Sequence, residues 1–181
     1  DDHAPNCTGQ PVTGYELKII YNDGIDVPVG ETGRLAVKGP TGCRYLNDPR
    51  QVDYVENGWN ITGDAFFKDE DGYYHFVSRN DDMIISSGYN IAGPEVEDAL
   101  LKHKFVKECA VVAKADDFRG SIVQAHIVLQ DGVVASDEII KTLQDHVKQT
   151  IAPFKYPRAV EFCASLPKTQ TGKIQRYLLK K

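Results

Sequence analysis

The spacing of apolar residues changes about halfway along the chain. In the first 79 residues, short apolar stretches alternate with turn-forming residues, a pattern typical of strands joined by tight loops. It predicts strands at Tyr15–Tyr21, Gly33–Lys38, Ala65–Lys68 and Tyr73–Ser78. The last two flank the segment 69–72 (DEDG), whose glycine can supply the positive φ angle of a hairpin loop. No helix is predicted before residue 93.

Beyond residue 80, helical spacing alternates with further strands. One helix is predicted to begin at Gly93-Pro94, because proline in the first turn leaves no hydrogen bond unmade. Another is predicted after Ser136, a favourable N-cap residue. The residues expected on the apolar faces of these helices are Val96, Ala99, Leu100 and His103, then Ile139, Ile140, Leu143 and Val147. The remaining predicted elements are strands at Met83–Ser87, Ala110–Lys114, Ile122–Leu129 and Ala159–Cys163, and a short closing helix at Ile174–Leu179.

The change of pattern falls near Arg79–Asp82 and predicts two units. The expected class is α+β, with a small β-rich subdomain followed by a compact C-terminal domain of mixed sheet with packed helices. We place the first unit at residues 1–80 and the second at residues 81–181. A chain of 181 residues is long enough for two small domains.

The composition excludes several classes of protein but does not identify the function. Hydrophobic residues make up 41% and charged residues 26%, which excludes a collagen-like or largely disordered chain. The net charge of −5 argues against a general nucleic-acid binder. No apolar run approaches the ~18–20 residues that a membrane span requires. Since the single methionine is Met83, we expect that Asp1 is not the natural start.

The cysteines and histidines predict neither a disulfide framework nor a metal site. The cysteines, Cys7, Cys43, Cys109 and Cys163, form no CxxC pair, and their wide spacing favours a reducing cytoplasm. The histidines show no metal-ligand spacing and are interpreted as structural. Charge is concentrated near the end, where residues 148–181 hold one acid, Glu161, and eight bases: Lys148, Lys155, Arg158, Lys168, Lys173, Arg176, Lys180 and Lys181. This tail indicates either an anionic ligand or a solvated surface.

Three charged residues are candidates for binding a nucleotide. Gly172-Lys173 resembles part of a Walker A loop, but the motif fails because Pro167 and Ile174 occupy its required glycine and hydroxyl positions. What remains is a lysine on a loop, which can carry a point charge into a site or simply be solvated. Asp64 can accept two hydrogen bonds from vicinal hydroxyls, or it can turn a loop. Arg79 can donate to phosphate or ribose oxygens.

Four ordered segments together resemble the adenylate-forming superfamily of acyl- and aryl-CoA ligases, adenylation domains and luciferases. The first two, at 33–46 and 59–64, are similar to its GELxVxGP…GYL and [YW]xxTGD motifs. The others, at 78–97 and 167–173, are similar to GRxDDxIxxxGxxIxPxEVE and PKTxTGK. The resemblance implies that residues 1–80 end an N-terminal AMP-binding domain and that 81–181 form the C-terminal lid domain. It also implies that the phosphate loop, the adenine strand and the acyl pocket precede Asp1.

The family reaction supplies a role for each matching residue. By resemblance, Asp64 binds the ribose hydroxyls, Arg79 bonds ribose or phosphate, and Lys173 bridges the substrate carboxylate and the α-phosphate of ATP. Asp81 matches the hinge about which the lid rotates. The residues that match the CoA tunnel are Ser87, Gly88 and Tyr89. The substrates implied are ATP with Mg²⁺, a carboxylic acid and CoA, and the partner is the missing N-terminal domain.

The segment 87–97 (SGYNIAGPEVE) looks most like 2-aminobenzoate- and benzoate-CoA ligases or medium-chain acyl-CoA synthetases. Asn90 stands where many CoA ligases carry arginine, so no phosphate contact is carried over to that position. We therefore expect part of an ATP-dependent acid–CoA ligase acting on an aromatic acid, inactive as this piece alone. The alternatives are a medium-chain fatty acyl-CoA synthetase, an adenylation domain that loads a carrier protein, and a noncatalytic binding module.

Overall fold

A computed structural model describes residues 7–42, 49 and 54–180. Its contacts divide the chain into two compact units, Asp1–Asp81 and Asp82–Lys181. Strands dominate the described part of the first unit, whereas the second combines strands with α-helices. The predicted α+β class is therefore confirmed. That the units are the end of an AMP-binding domain and its lid stays a prediction.

The first unit is built on an antiparallel sheet covered by apolar clusters on both faces. Its strands are β1 (Glu16–Ile20), β2 (Gly33–Lys38), β3 (Val55–Glu56), β4 (Trp59–Lys68) and β5 (Tyr74–Arg79). They lie in the order β1-β2-β4-β3, and β5 also pairs with β4. Neighbouring side chains on a strand point to opposite faces. Accordingly, Ile19 packs with Leu35 and Phe66, while Ile20 packs with Ala36 and Ile61 on the other face.

The predicted hairpin between β4 and β5 is confirmed. The backbone N–H of Gly72 donates to the Asp69 carbonyl at 3.1 Å, and the N–H of Tyr73 donates to the Asp69 carboxylate at 2.8 Å. Gly72 has φ +86°, as its place in the loop requires. The turn thus combines a glycine in the left-handed region with an aspartate that binds its own loop backbone.

Strand β4 begins at Trp59, six residues before the predicted Ala65. The residues ahead of Ala65 are mostly polar and lack the apolar spacing of a buried strand, so the sequence pattern did not predict them as a strand. They join the sheet because β2 pairs with this half of β4 and because Thr62 Oγ1 donates to the Leu35 carbonyl at 3.2 Å. The extension matters because it places Asp64 within the sheet.

The second unit packs helices against a mixed sheet. Its strands are β6 (Met83–Ser86), β7 (Tyr89–Ala92), β8 (Val106–Asp116), β9 (Gly120–Leu129) and β10 (Ala159–Phe162), and its helices are α1 (Gly93–Leu101) and α2 (Asp137–Thr150). β8 and β9 form a long antiparallel hairpin, and β10 adds to β9 in parallel. β6 and β7 form a separate short hairpin.

A single large core joins these elements. Val96 and Leu100 of α1 and Leu143 and Val147 of α2 are buried among strand residues such as Val111. The predicted apolar faces are thus confirmed at these positions. Helix α2 begins as predicted, with Ser136 Oγ accepting from the Ile139 N–H at 3.3 Å. Among the described residues, neither helix has the length and apolar character needed to cross a bilayer.

Two local predictions for the second unit were wrong, and one strand was missed. Helix α1 ends at Leu101, so His103 lies beyond it rather than on its apolar face. The strand β7 was not predicted, because Tyr89-Asn90 is polar and exposed at its start. The predicted closing helix, Ile174–Leu179, is only a 3-10 turn at Arg176–Leu178. Its start is drawn away from helical geometry because the Gln175 N–H donates to the Pro167 carbonyl at 2.9 Å.

Candidate functional site

The first unit brings two of the predicted nucleotide-binding residues together. Asp64 on β4 lies directly opposite Arg79 on β5 in the strand register. Arg79 Nε lies 3.1 Å from Asp64 Oδ1, and the side chains are 62% and 28% exposed, respectively. A bulge between Ala65 and Phe66 interrupts the ladder beside this pair. Bulges commonly re-aim side chains next to functional sites.

The Asp64 carboxylate is held in place but can accept further hydrogen bonds. Among the described residues, its buried Oδ1 has the ion contact with Arg79 but makes no hydrogen bond of good geometry. Its backbone is fixed by the bond from the Asp64 N–H to Thr62 Oγ1 at 3.2 Å, next to Gly63 at φ +78°. The arrangement therefore presents an anchored acceptor beside an exposed guanidinium, which suits a ligand with hydroxyl and phosphate groups.

Lys173 belongs to the second unit and stands on a tight turn. The Gly172 N–H donates to the Thr169 carbonyl at 2.9 Å, and the Thr169 N–H donates to the Lys173 carbonyl at 2.8 Å. The Lys173 N–H in turn donates to Thr169 Oγ1 at 3.1 Å. The lysine is exposed, and within the described part of the chain no ion pair engages its ammonium group. An ordered backbone thus presents an available positive charge.

Both ends of this turn are tied to the body of the unit. Lys168 Nζ lies 2.8 Å from the Glu108 carboxylate on β8. On the other side, Arg176 Nη2 lies 2.7 Å from Glu97 Oε2 on α1. Sequence reasoning missed both pairs because their members lie far apart in the chain. The only signal was the excess of basic residues in this tail, which does not reveal their partners.

Ser87, Gly88 and Tyr89 lie at the tip of the β6–β7 hairpin. Ser86 pairs with Tyr89, so the loop consists of Ser87 and Gly88. Both have positive φ angles, +50° and +84°, as the tightest hairpin turns require. A Cβ atom at Gly88 would meet nothing within 4 Å in the described structure, so the backbone angle is what calls for glycine here.

The same hairpin tip carries exposed polar and aromatic groups. Arg119, in the β8–β9 loop, donates from Nη1 to Ser87 Oγ at 3.0 Å, and its carbonyl accepts from the Ser87 N–H at 3.0 Å. Tyr89 stacks on Phe154 with ring centroids 4.5 Å apart. These rings are 55% and 42% exposed. The tip is therefore fixed from two sides and keeps an aromatic surface open.

Asp81, the predicted hinge residue, lies in a 3-10 turn at Asn80–Asp82 where the two units meet in sequence. It is exposed. The following residue, Asp82, lies 3.4 Å from Lys180 Nζ within the second unit. The part of the chain described by the structure contains no group of three or more metal-ligating side chains.

Comparison with known proteins shows which proteins this chain is similar to. A model of the AMP-binding enzyme C-terminal domain matches residues 95–173. An uncharacterized acyl–CoA ligase of Bacillus subtilis, YtcI, is 51% identical over 98% of this chain and 34% of its own length. The mouse mitochondrial acyl-coenzyme A synthetase ACSM3 is 41% identical over 98% of this chain and 32% of its own.

A solved structure gives the same result. The anthranilate CoA ligase AuaEII, in complex with anthranoyl-AMP, superimposes with a TM-score of 0.79 at 38% identity. The match covers 98% of this chain and 35% of that one, so the chain spans about a third of the length of the relatives it matches. By these matches residues 95–173 belong to the AMP-binding enzyme C-terminal domain family, and the chain as a whole is similar to part of acyl- and aryl-CoA ligases.

Proposed function

We propose that this chain is the C-terminal part of an ATP-dependent carboxylic acid–CoA ligase. The observation that carries the proposal is Lys173, an exposed cation on an ordered turn at the end of the segment that matches the AMP-binding C-terminal domain. The named ligases among the relatives support the reaction class. The free cysteines Cys109 and Cys163 fit a reducing compartment such as the cytoplasm.

In the first half-reaction, a carboxylate oxygen attacks the α-phosphorus of ATP and pyrophosphate leaves with the bonding electrons. Negative charge accumulates between the two anions, and Lys173 supplies a positive charge at that place. One preorganised donor of this kind contributes about 10²–10³ in rate. The Asp64 carboxylate accepts hydrogen bonds from the ribose hydroxyls, and Arg79 donates to ribose or phosphate oxygens. Mg²⁺ accompanies the ATP phosphates and does not require a dedicated protein cage.

In the second half-reaction, the CoA thiolate attacks the acyl carbon and AMP leaves. The lid domain turns about Asp81, so that Lys173 withdraws and the hairpin tip with Ser87, Gly88 and Tyr89 lines the passage for the pantetheine chain. The absent side chain at Gly88 suits a narrow passage. Its positive φ angle independently favours glycine, so the backbone alone can account for the residue at this position.

The acid is proposed to be aromatic, with 2-aminobenzoate or benzoate as the first candidates. Support comes from the segment 87–97 and from the similarity to AuaEII, an anthranilate CoA ligase. The pocket that selects the acid belongs to the part of the enzyme outside this chain. The specificity must therefore be measured on the longer protein.

The test is ATP–pyrophosphate exchange by the ligase that contains this chain, assayed with 2-aminobenzoate, benzoate and octanoate. We expect exchange with an aromatic acid and a loss of about 10²–10³ in the Lys173→Ala variant. Lys141→Ala, which removes an exposed lysine from α2, is the matched control and should keep full exchange. Unchanged exchange in Lys173→Ala would contradict the proposal, and exchange with octanoate alone would refute the aromatic substrate.

A further inference from the structure

A buried carboxylate of the second unit binds the segment that carries Lys173. Glu97, on the inner face of α1, is only 8% exposed. Its Oε1 accepts from Arg176 Nε at 3.2 Å and Nη2 at 3.0 Å, and also from the Val111 backbone N–H at 2.8 Å. Its Oε2 accepts from Arg176 Nη2 at 2.7 Å. One carboxylate thus joins α1, β8 and the tail of the chain.

The Glu97–Arg176 ion pair restricts the movement of both side chains. A buried charge is tolerated when an opposite charge and additional hydrogen bonds compensate for its lost hydration, and removal of one partner leaves the other exposed to the full penalty. Burial alone would lower the pKa of Arg176, but its hydrogen bonds to Glu97 and the charge of Glu97 outweigh burial and raise that pKa. The guanidinium is planar, so bidentate contact fixes its direction as well as its distance.

The ion pair lies three residues beyond Lys173, and a second tether lies on the other side. Lys168 pairs with Glu108, which is 60 residues away in sequence. The backbone of this segment also closes on itself through the bond from the Gln175 N–H to the Pro167 carbonyl at 2.9 Å. The apolar side chain of Ile174 packs against Ala110 and Leu166. The lysine side chain is therefore exposed while its backbone is restrained.

We propose that the Glu97–Arg176 ion pair is a positioning device that fixes the backbone from which Lys173 reaches the reacting carboxylate and phosphate. The inference rests on the proposed function, because it gives the ordered turn a catalytic purpose. Glu97 and Arg176 touch no substrate in this account. They act through Lys173, since misplacement of a catalytic group by about 1 Å can cost on the order of 10²-fold in rate.

The structural half of the proposal is tested on the 181-residue chain itself. Trypsin can cut after Lys173 and Arg176, and the initial cutting rate reports how often this segment opens. Glu97→Gln should accelerate cutting by about tenfold, which corresponds to a stability change of about 1.4 kcal/mol in the closed segment. Glu95→Gln is the matched control, because Glu95 is also on α1 but pairs with Lys155 at 2.6 Å, away from the turn. Equal cutting rates in both variants would overturn the proposal.

The catalytic half is tested on the longer ligase by measuring the two half-reactions separately. Glu97→Gln should lower kcat for adenylate formation about 10- to 100-fold, with unchanged KM for ATP and an unchanged rate of thioester formation from supplied adenylate. A structural defect alone would lower both half-reactions together and would overturn the proposal. Arg176→Lys, which keeps the charge but loses the bidentate contact, should have a smaller effect and serves if Glu97→Gln does not fold.

The outcomes separate this inference from the proposed function. If Lys173→Ala abolishes adenylate formation but Glu97→Gln behaves like Glu95→Gln, the positioning role is wrong and the ligase function stands. If Lys173→Ala leaves adenylate formation intact, the ligase assignment fails. Faster cutting of Glu97→Gln would then still establish the restraint on the turn, but its catalytic purpose would be refuted.

Discussion

At the scale of single residues, Asp64 is a partly buried carboxylate on a strand, beside an exposed arginine. Its partner Arg79 is mostly exposed, so their ion pair contributes little to stability. We predict that Asp64→Asn raises the KM for ATP about tenfold in the ligase, the effect of losing one charge-assisted hydrogen bond to ribose. The melting temperature should stay nearly unchanged. A KM equal to that of the unchanged enzyme would contradict the ribose assignment.

Gly88 combines a backbone requirement with a proposed functional one, and a paired substitution can separate them. Gly88 and Gly132 have φ angles of +84° and +86°, and at either position a Cβ would meet nothing within 4 Å. Alanine should therefore cost each site a similar amount, about 1 kcal/mol of unfolding free energy in urea titration. We predict that only Gly88→Ala also slows thioester formation. Equal thioester rates in the two variants would remove Gly88 from the CoA passage.

The residues of the candidate site were predictable to different degrees. Asp64, Arg79 and Lys173 were selected from short motifs, because each chemistry needs a particular residue type at a particular spacing, and their roles stay predictions. Their environments did not follow from the motifs. The Glu97–Arg176 pair joins residues separated by 79 positions, and only the packing of the tail against α1 brings them together. Long-range pairs of this kind leave no periodic signal in one sequence.

At the scale of elements, His103 lies just beyond the end of α1, and its protonation should affect stability. The rings of His103 and His146 lie 5.0 Å apart, and His103 Nδ1 accepts from the Phe105 N–H at 3.3 Å. Burial lowers the pKa of His103, and the neighbouring charges of His146 and Lys104 lower it further. The folded state therefore favours neutral His103. Its contribution to stability is complete above the unfolded pKa of about 6.5 and is lost as the pH falls through the lower folded value.

We predict that the free energy of unfolding of the chain decreases from pH 7 to pH 5 and that His103→Asn weakens this dependence. Asparagine does not titrate, and its carbonyl oxygen can still accept from the Phe105 N–H. The measurement is urea unfolding at several pH values for the two proteins. Identical pH dependence in both would show that His103 has no role in acid sensitivity.

Elements governed by local chemistry were predicted well, whereas those governed by tertiary contacts were not. The loop at 69–72 and the start of α2 depend on a glycine, an aspartate and an N-capping serine, all visible in sequence. The first half of β4 depends on pairing with β2, and apolar spacing cannot reveal that pairing. Ile174–Leu179 has helix-like spacing, but a hydrogen bond from Gln175 to Pro167 and the ion pair of Arg176 fix a different backbone.

At the scale of the whole molecule, the candidate site residues are divided between the two compact units. Asp64 and Arg79 belong to one unit and Lys173 to the other. In the proposed mechanism, a rotation between the two half-reactions replaces the lysine with the hairpin tip around Gly88. The relatives extend to about three times the length of this chain.

We therefore predict that residues 1–181 alone form no CoA thioester, because the phosphate loop and acid pocket lie elsewhere in the proposed enzyme.

The most direct test compares the two half-reactions in Lys173→Ala and Asp81→Pro variants of the ligase. Proline fixes φ near −65° and restricts the preceding residue, so it should hinder rotation at the turn Asn80–Asp82. We predict that Lys173→Ala loses adenylate formation while still converting supplied adenylate to thioester, and that Asp81→Pro shows the reverse. Equal loss of both half-reactions in either variant would contradict it.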